Sequence, residues 1–329
     1  MRNISEHKGY EGVMKKSGFY QKNILKGNAE RPLKLKKTKL NFNNFYAYLL
    51  MVLPVFIVFV IFYLIPSLSS FLISFTNYNG ASLKFNFVGM KNYYILFKDS
   101  VFLASIGNTL IFTVAVTIIQ NIFGVLFAVF LNQSLKMKKL YRTLVYAPAL
   151  LNAVVAAFIW TYIFDTNGTL NMVLKAVGMG AMTKTWLGNM DTALMCVIIS
   201  HIWRFIGYSA VIYLANLQSI PHDLYEAAEV DGATGIKKFT KITFPLLAPS
   251  TTINVSLALI GTFKVFDIIF AMTEGGPGSA TETVATYIVK NMNENLYGYA
   301  AAMSIILFLA TLVLNIFVYG YLKKREVNE

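Results

Sequence analysis

Cysteine is almost absent from this chain. Cys196 stands alone inside an apolar run, which excludes a disulfide framework and a cysteine-built metal site. Histidine is nearly as scarce, and His7, His201 and His222 lie too far apart in sequence to suggest a metal cluster. The phosphate-cradling pattern G-x-x-x-x-G-K-[ST] does not occur, so no nucleotide is expected on this chain. Charge is thin as well: 14% of residues carry it, with 16 acids against 29 lysines and arginines. No Asp, Glu, Lys or Arg lies between Lys39 and Lys84, Asp99 and Lys136, Arg142 and Asp165, or Glu294 and Lys323. Each gap is at least as long as the roughly 20 apolar residues that a helix needs to cross a bilayer.

What is present is apolar: 56% of the 329 residues are hydrophobic, which excludes an ordinary soluble domain. The runs are continuous rather than alternating, so helices are expected and a β-barrel is not. Two further runs are interrupted by single charges, one by Arg204 and one by Lys264 and Asp267. The expected fold is therefore an all-α membrane protein with six spans, near 45–65, 107–131, 143–164, 192–215, 249–272 and 299–321. The first span is too long for the apolar core of a cleavable signal peptide. No strong internal repeat is evident.

Basic residues set the orientation. The leader 1–44, the loop 132–142, the loop 216–248 and the tail after Tyr321 hold 21 lysines and arginines, and the opposite loops hold 6. Both termini are expected in the cytosol of a bacterial cell, in its cell membrane. The +13 net charge is mostly this topology signal and does not call for nucleic acid. The leader reads as a basic cytosolic tail, either solvated or lying on an anionic lipid leaflet through RPLKLKKTKL.

The outer segments carry local signals. Residues 76–100, rich in Asn, Tyr and Phe, read as a small interfacial cap. Asn167-Gly168 reads as a turn before a short helix, and Gly275 to Gly278 as a tight turn with Ser279 or Thr281 capping the next helix.

The polar stretch from Pro221 to Pro249 differs from the rest. Asp223, Glu226, Glu229 and Asp231 crowd four acids into a basic chain. Pro221 is expected to open a helix, Leu224, Ala227, Ala228 and Asp231 to share one face, and Gly232 to stop it. Thr234 is expected to cap a second helix that Pro245 ends. Four acids argue against a helix lying on anionic lipid, and roughly 30 residues is long for a bare connector. A docking element for a cytosolic protein stands beside those two readings.

The stretch EAAEVDGATGIKKFTKITFP resembles the EAA loop of ABC importer permeases, in which EAA is followed by three residues, Gly, nine residues, Ile, one residue, Leu and Pro. Glu226, Ala227, Ala228, Gly232, Ile242 and Pro245 match, while Phe244 stands where Leu is usual. FVGMKNYYILFKD, NTLIFT, YRTLVYAPAL, IWTYIFDTNGTLN and KVFDIIFAMTEGGPGSATET are similar to the sugar-permease branch, so the resemblance covers about 45–325 and leaves 1–44 without a role. It implies a permease subunit rather than an enzyme. Its partners would be a second homologous permease, a dimer of ATPase subunits holding ATP and Mg, and an extracytoplasmic solute-binding protein that delivers a sugar or oligosaccharide. Membrane lipid surrounds it. The loop 216–248 would couple it to the ATPase, with Glu226 in ionic contact with a groove, Ala227 and Ala228 allowing a close fit and Gly232 setting the turn. Asp231 would cap or brace the loop, or simply be solvated.

Candidates for the solute pathway are weaker. Charges inside spans face protein or a water-filled cavity. Arg204, Lys264 and Asp267 therefore either line a polar pathway or pair structurally, Lys264 with Asp267 and Arg204 with the second permease. Trp160, Tyr162, Asn152, Tyr208 and Asn254 add the aromatic faces and hydrogen-bonding groups a sugar needs, though most intramembrane aromatics only pack. An ion-coupled carrier and a permease for a sugar phosphate or a uronate oligosaccharide remain alternatives. A membrane-embedded glycosyltransferase would need clustered acids that are not there.

Overall fold

The computed structural model describes residues 42–81, 85–134 and 136–326. Most of the basic leader, and with it any contact with a lipid leaflet, lies outside the described residues. The chain divides into two units, 1–65 and 66–329. In the first, α1 (Phe42–Phe59) runs into a π-helical turn, Val60–Leu64. At the boundary α2 (Ile65–Ile73) begins. Pro66, which has no N–H to give, directly follows the π turn inside the continuous run Leu49–Ile73, so the helix passes 65 and extends to Ile73.

The aromatic segment after α2 is tied down by Asn92 at the start of α3 (Lys91–Leu96). Its amide donates to the carbonyls of Ser74 at 2.8 Å and Thr76 at 2.9 Å, beside an isolated bridge between Thr76 and Phe87. Asp99 then caps α4 (Ser100–Asn132), accepting from the amides of Val101 and Phe102. At 33 residues, α4 is about 50 Å long, more than a bilayer core requires.

Next come α5 (Lys138–Tyr146), a 3-10 turn (Ala147–Leu150), α6 (Ala153–Phe164), α7 (Thr169–Ala176) and α8 (Met190–Ser219). The polar stretch forms α9 (Asp223–Val230), α10 (Ile236–Lys238), a π turn (Phe239–Thr243) and α11 (Phe244–Leu246). The chain closes with α12 (Ala248–Phe263), α13 (Asp267–Thr273), α14 (Val284–Asn293) and α15 (Tyr297–Lys323).

Among the described residues, four helical runs are long and apolar enough to cross a membrane: Leu49–Ile73, Ser100–Asn132, Met190–Ser219 and Tyr297–Lys323. Two bent pairs bring the number to six if each is one span. Two sequence expectations change here. The expected span 143–164 is broken after Leu150, and the helices on either side meet at 99°. Pro148 sits in the 3-10 turn, and the extended Asn152 caps α6 by accepting from the Val154 amide at 2.9 Å. The expected span 249–272 stops at Phe263, breaks over Lys264–Phe266 and resumes as α13.

The core forms where α4 lies along α8. In lipid the hydrophobic effect does not press helices together, so small residues and interhelical hydrogen bonds do it. A stripe on α4 including Ser105, Thr109, Thr113, Thr117 and Gln120 is buried. A Cβ on Gly124 would meet that of Ser209 at 2.9 Å. Gln120 Nε2 donates to Ser209 Oγ at 2.7 Å, and Tyr213 Oη donates to Asn121 Oδ1 at 2.7 Å. Each such bond contributes about 0.6 kcal/mol in a membrane interior. Apolar clusters flank this seam, one around Phe112, Val197, Ile268 and Ile269 and another around Leu131, Leu214 and Leu247.

Candidate functional site

The break after α12 and the polar stripe on α4 converge on one cavity of about 390 Å³. Gln120 of α4 enters from one side, and His201, Phe205, Tyr208 and Ser209 of α8 form a wall. Asn254 and Thr262 of α12 face them, and Lys264 and Asp267 stand at the break itself. Irregular backbone within an apolar run is tolerated where it lines a cavity, as this break does. The freed Val265 carbonyl accepts from Thr283 Oγ1 at 3.2 Å, and Asp267 Oδ1 accepts from the Ile268 amide at 3.0 Å. His201 packs edge-on to Phe112 and beside Phe205, and its Nδ1 is buried with no hydrogen-bond partner.

The structure brings four of the eight pathway candidates, Tyr208, Asn254, Lys264 and Asp267, to this cavity. Arg204 sits beside it: Nη1 lies 3.5 Å from Asp267 Oδ2, and Nε donates to the Leu151 carbonyl at 3.0 Å. Asp267 thus pairs with Arg204 rather than with Lys264, because the helix break carries Lys264 out of the i, i+3 register assumed for it. The other three candidates serve α6 instead. Asn152 is its cap, Trp160 stacks on Phe164 with ring centroids 5.2 Å apart, and Tyr162 points outward, 68% exposed. Gln120, His201, Ser209 and Thr262 were missed. Their signal was present: each is a polar residue within an apolar run.

At the end of the bundle where α8 finishes, the polar stretch is a helix, glycine turn and helix, as expected, but its caps differ. His222, not Pro221, precedes α9, and Gly235, not Thr234, precedes α10. Pro245 does not end the second run, since π-type bonding leads into α11 and the turn comes at Leu247. Similarly, Thr283 with Thr286, rather than Ser279 or Thr281, caps α14. Gly232 does stop α9. At φ +74° it lets the Ala233 amide reach the Ala228 carbonyl at 2.8 Å and its own amide reach Glu229 at 3.0 Å.

Glu229 pairs with Lys238 across the turn, and the Lys238 hydrogen bond and charge hold the Glu229 carboxyl below the usual carboxylate range. Tyr225 Oη and Thr243 Oγ1, 3.1 Å apart, add a second tie. Glu226 is left facing outward, 3.0 Å from His222 Nδ1. Ala227 and Asp231 are exposed and Ala228 is half-buried, while Leu224, Val230 and Ile236 present bare apolar surface nearby. The element is thus tied across its turn and presents an acidic and apolar outer face.

Residues 120–326 match the family described as binding-protein-dependent transport system inner membrane component. The chain belongs to that family. This inner membrane component is 33% identical over 263 residues to a probable ABC transporter permease protein of Bacillus subtilis, YurN, covering 79% of this chain and 90% of that one. It is 32% identical over 266 residues to the multiple sugar-binding transport system permease protein MsmF of Streptococcus mutans, covering 80% and 91%. A solved bacterial alginate ABC transporter, in complex with an alginate pentasaccharide-bound periplasmic protein, contains a chain that superposes with a TM-score of 0.74. It is 25% identical and covers 84% of this chain and 93% of that one. The inner membrane component is thus a transport subunit and a multi-pass membrane protein of all-α fold.

Proposed function

We propose that this chain is one permease of an ATP-driven importer that takes a sugar or oligosaccharide from an extracytoplasmic solute-binding protein into a bacterial cell. The cavity carries the reading: Gln120, Tyr208, Asn254 and Thr262 offer hydrogen bonds around an aromatic wall, at a helix break between spans. Sugar hydroxyls need such donors and acceptors, and Phe205 and Tyr208 supply ring faces. A second homologous permease would complete the pathway, and both termini and α9 would face the cytosol.

The dimeric ATPase, with its ATP and Mg, would dock on α9. There Glu226 makes the ionic contact, Ala227 and Ala228 permit close approach and Gly232 fixes the turn, while Asp231 remains solvated at the rim. The Glu229–Lys238 pair keeps the two short helices moving as one body, so a displacement imposed on α9 reaches α12 through Leu247. Membership of a binding-protein-dependent family speaks against an ion-coupled carrier.

The test is solute-stimulated ATP hydrolysis by the reconstituted transporter, in the wild type and with Asn254→Ala or Gln120→Ala. Both substitutions are expected to weaken stimulation by the cognate glycan. Unchanged solute dependence in both would remove the cavity from the pathway.

One observation favours an acidic glycan over a neutral one. Arg204 and Asp267 neutralise each other, and Lys264 lines the cavity with no acidic partner among the described residues.

A further inference from the structure

A second cavity, about 680 Å³, lies at the end of the bundle shared with α9, between the start of α5 and the end of α8. Its wall is cationic. Lys136, Lys138, Lys139 and Arg142 line it together with Gln218, and no acid faces them among the described residues.

Three features favour an anion here, although Lys138 Nζ already donates to the Asn132 carbonyl at 3.5 Å. Arg142 Nε and Nη2 are buried and have no hydrogen-bond partner, although a buried unpaired donor is rare and unfavourable. Lys138 and Arg142 stand four residues apart on one helix, and Lys139 lies three from Arg142, so like charges repel. The lysines also occupy the first turn of α5, where the helix dipole favours acids, and its cap residue Met137 offers no side-chain acceptor. Basic residues near the membrane are ordinary as topology signals. Topology alone, however, does not bury two guanidinium nitrogens facing nothing.

The apolar side of α5 narrows the choice of anion. Leu140, Tyr141 and Leu144 are exposed on the same helix, which meets the following segment at 99°. A nine-residue amphipathic helix with a cationic face and a bare apolar face fits a membrane interface.

We infer that this cavity binds the phosphate headgroup of an anionic phospholipid of the inner leaflet. Arg142 and the α5 amides receive the phosphate oxygens, and Leu140 and Leu144 receive the acyl chains. Lys136, Lys138 and Lys139 supply the preference for net negative headgroups, since each cation near the surface adds to that attraction. The site is separate from the solute cavity and does not depend on which solute is carried.

The experiment uses the full chain purified in nonionic detergent, with thermal unfolding followed during titration. The probes are dioctanoyl phosphatidylglycerol, dioctanoyl phosphatidylcholine and inorganic phosphate. Phosphatidylglycerol is expected to stabilise at roughly tenfold lower concentration than phosphatidylcholine. That preference should shrink to roughly twofold in the double variant Lys138→Gln, Lys139→Gln and vanish in Arg142→Ala. If Arg142→Ala does not fold, the lysine variant decides alone. Equal potency of the two lipids, or a preference unchanged in the lysine variant, overturns the site. Inorganic phosphate matching the lipid would mean a free-anion site and overturn the lipid assignment. So would variants that lose capture of the partner ATPase while keeping the lipid preference, because the cavity would then hold a protein carboxylate.

Discussion

Arg204 and Asp267 meet at 3.5 Å across 63 residues of sequence, and the same guanidinium donates to Leu151 at the bend before α6. One side chain therefore joins two helix breaks. Its two contacts differ in weight. The Asp267 side chain is 57% exposed, so the ion pair is worth at most about 1 kcal/mol. The Leu151 carbonyl has left its helix ladder, and leaving it without a donor costs about 1–3 kcal/mol. Arg204→Ala is thus expected to lower the unfolding temperature of the purified chain clearly more than Asp267→Asn. Equal losses would mean that the carbonyl contact does not hold the bend.

Gly207 is where α8 touches the backbone of α5: a Cβ there would lie 2.0 Å from the Val145 carbonyl oxygen. That oxygen belongs to a backbone and does not yield like a side-chain tip. Gly207→Ala should destabilise by about 1–3 kcal/mol. Gly107 of α4 has nothing within 4 Å, so Gly107→Ala should be neutral or slightly stabilising. Detergent-melt temperatures of the two variants separate close packing from helix propensity.

These contacts mark what was legible in the sequence. The long spans were, because uncharged runs of this length have no soluble use. The acidic stretch was also legible, since Gly232 signals its own turn and four acids in a basic chain ask for a partner. The breaks were not. The runs 143–164 and 249–272 are apolar throughout or nearly so, and hydropathy does not register a bend whose carbonyls are satisfied by Arg204 or Thr283. The cavity was half legible. Charges drew attention to Lys264 and Asp267, but Gln120 and His201 acquire a role only when α4 lies against α8. The aromatic candidates divided: Tyr208 lines the cavity, whereas Trp160 packs within the bundle and Tyr162 faces outward.

Asp99 gathers three segments. Beyond capping α4, its Oδ2 accepts from Tyr287 and Tyr299, each at 2.7 Å. Burial alone would raise this carboxyl, but the two hydroxyls and the amides of Phe102 and Val101 hold it below the usual carboxylate range. Burial and the bond to Asp99 push Tyr287 up to about 12. A depressed carboxylate stabilises the fold above its unfolded value, near pH 4, and that contribution is lost as the pH falls through the folded value. A raised tyrosine contributes fully below about pH 10, and loses its contribution as the pH climbs through the folded value. Melting temperature against pH should therefore fall at both ends, and Asp99→Asn should lack the acidic step. An unchanged acidic step in that variant would mean that other carboxylates cause it.

The braced loop makes a two-part prediction. Glu226→Lys reverses an outward charge that holds nothing but His222, so folding and insertion should be normal while solute-stimulated ATP hydrolysis is lost. Gly232→Val meets open space but must adopt φ +74°, at a cost of about 1–2 kcal/mol, and should loosen the turn as well as uncouple. Limited proteolysis distinguishes them, with new cleavage in 230–240 expected for Gly232→Val alone. Normal uptake by Glu226→Lys would show that this carboxylate is not the docking contact.

Lys264 is the cavity residue whose substitution tests the charge of the solute. It stands at the break that ends α12, where its backbone is no longer helical and its side chain lines the cavity. Asp267, three residues on, is held by Arg204, so the cavity retains one cation in excess. If a second permease supplied an acid to Lys264, the pathway would be neutral, and Lys264→Gln would impair neutral and acidic glycans alike. If the solute supplies the acid, the loss falls on acidic glycans alone. An exposed pair of this kind contributes about 1 kcal/mol, and a desolvated one two or three times that, so uptake of a uronate oligosaccharide should drop roughly tenfold or more while a neutral one is unaffected. Uptake of paired neutral and uronate oligosaccharides of equal length by Lys264→Gln reads this directly. Selective loss of the uronate requires that Lys264 meet the solute, because a cation already paired within the protein has no charge left to discriminate with.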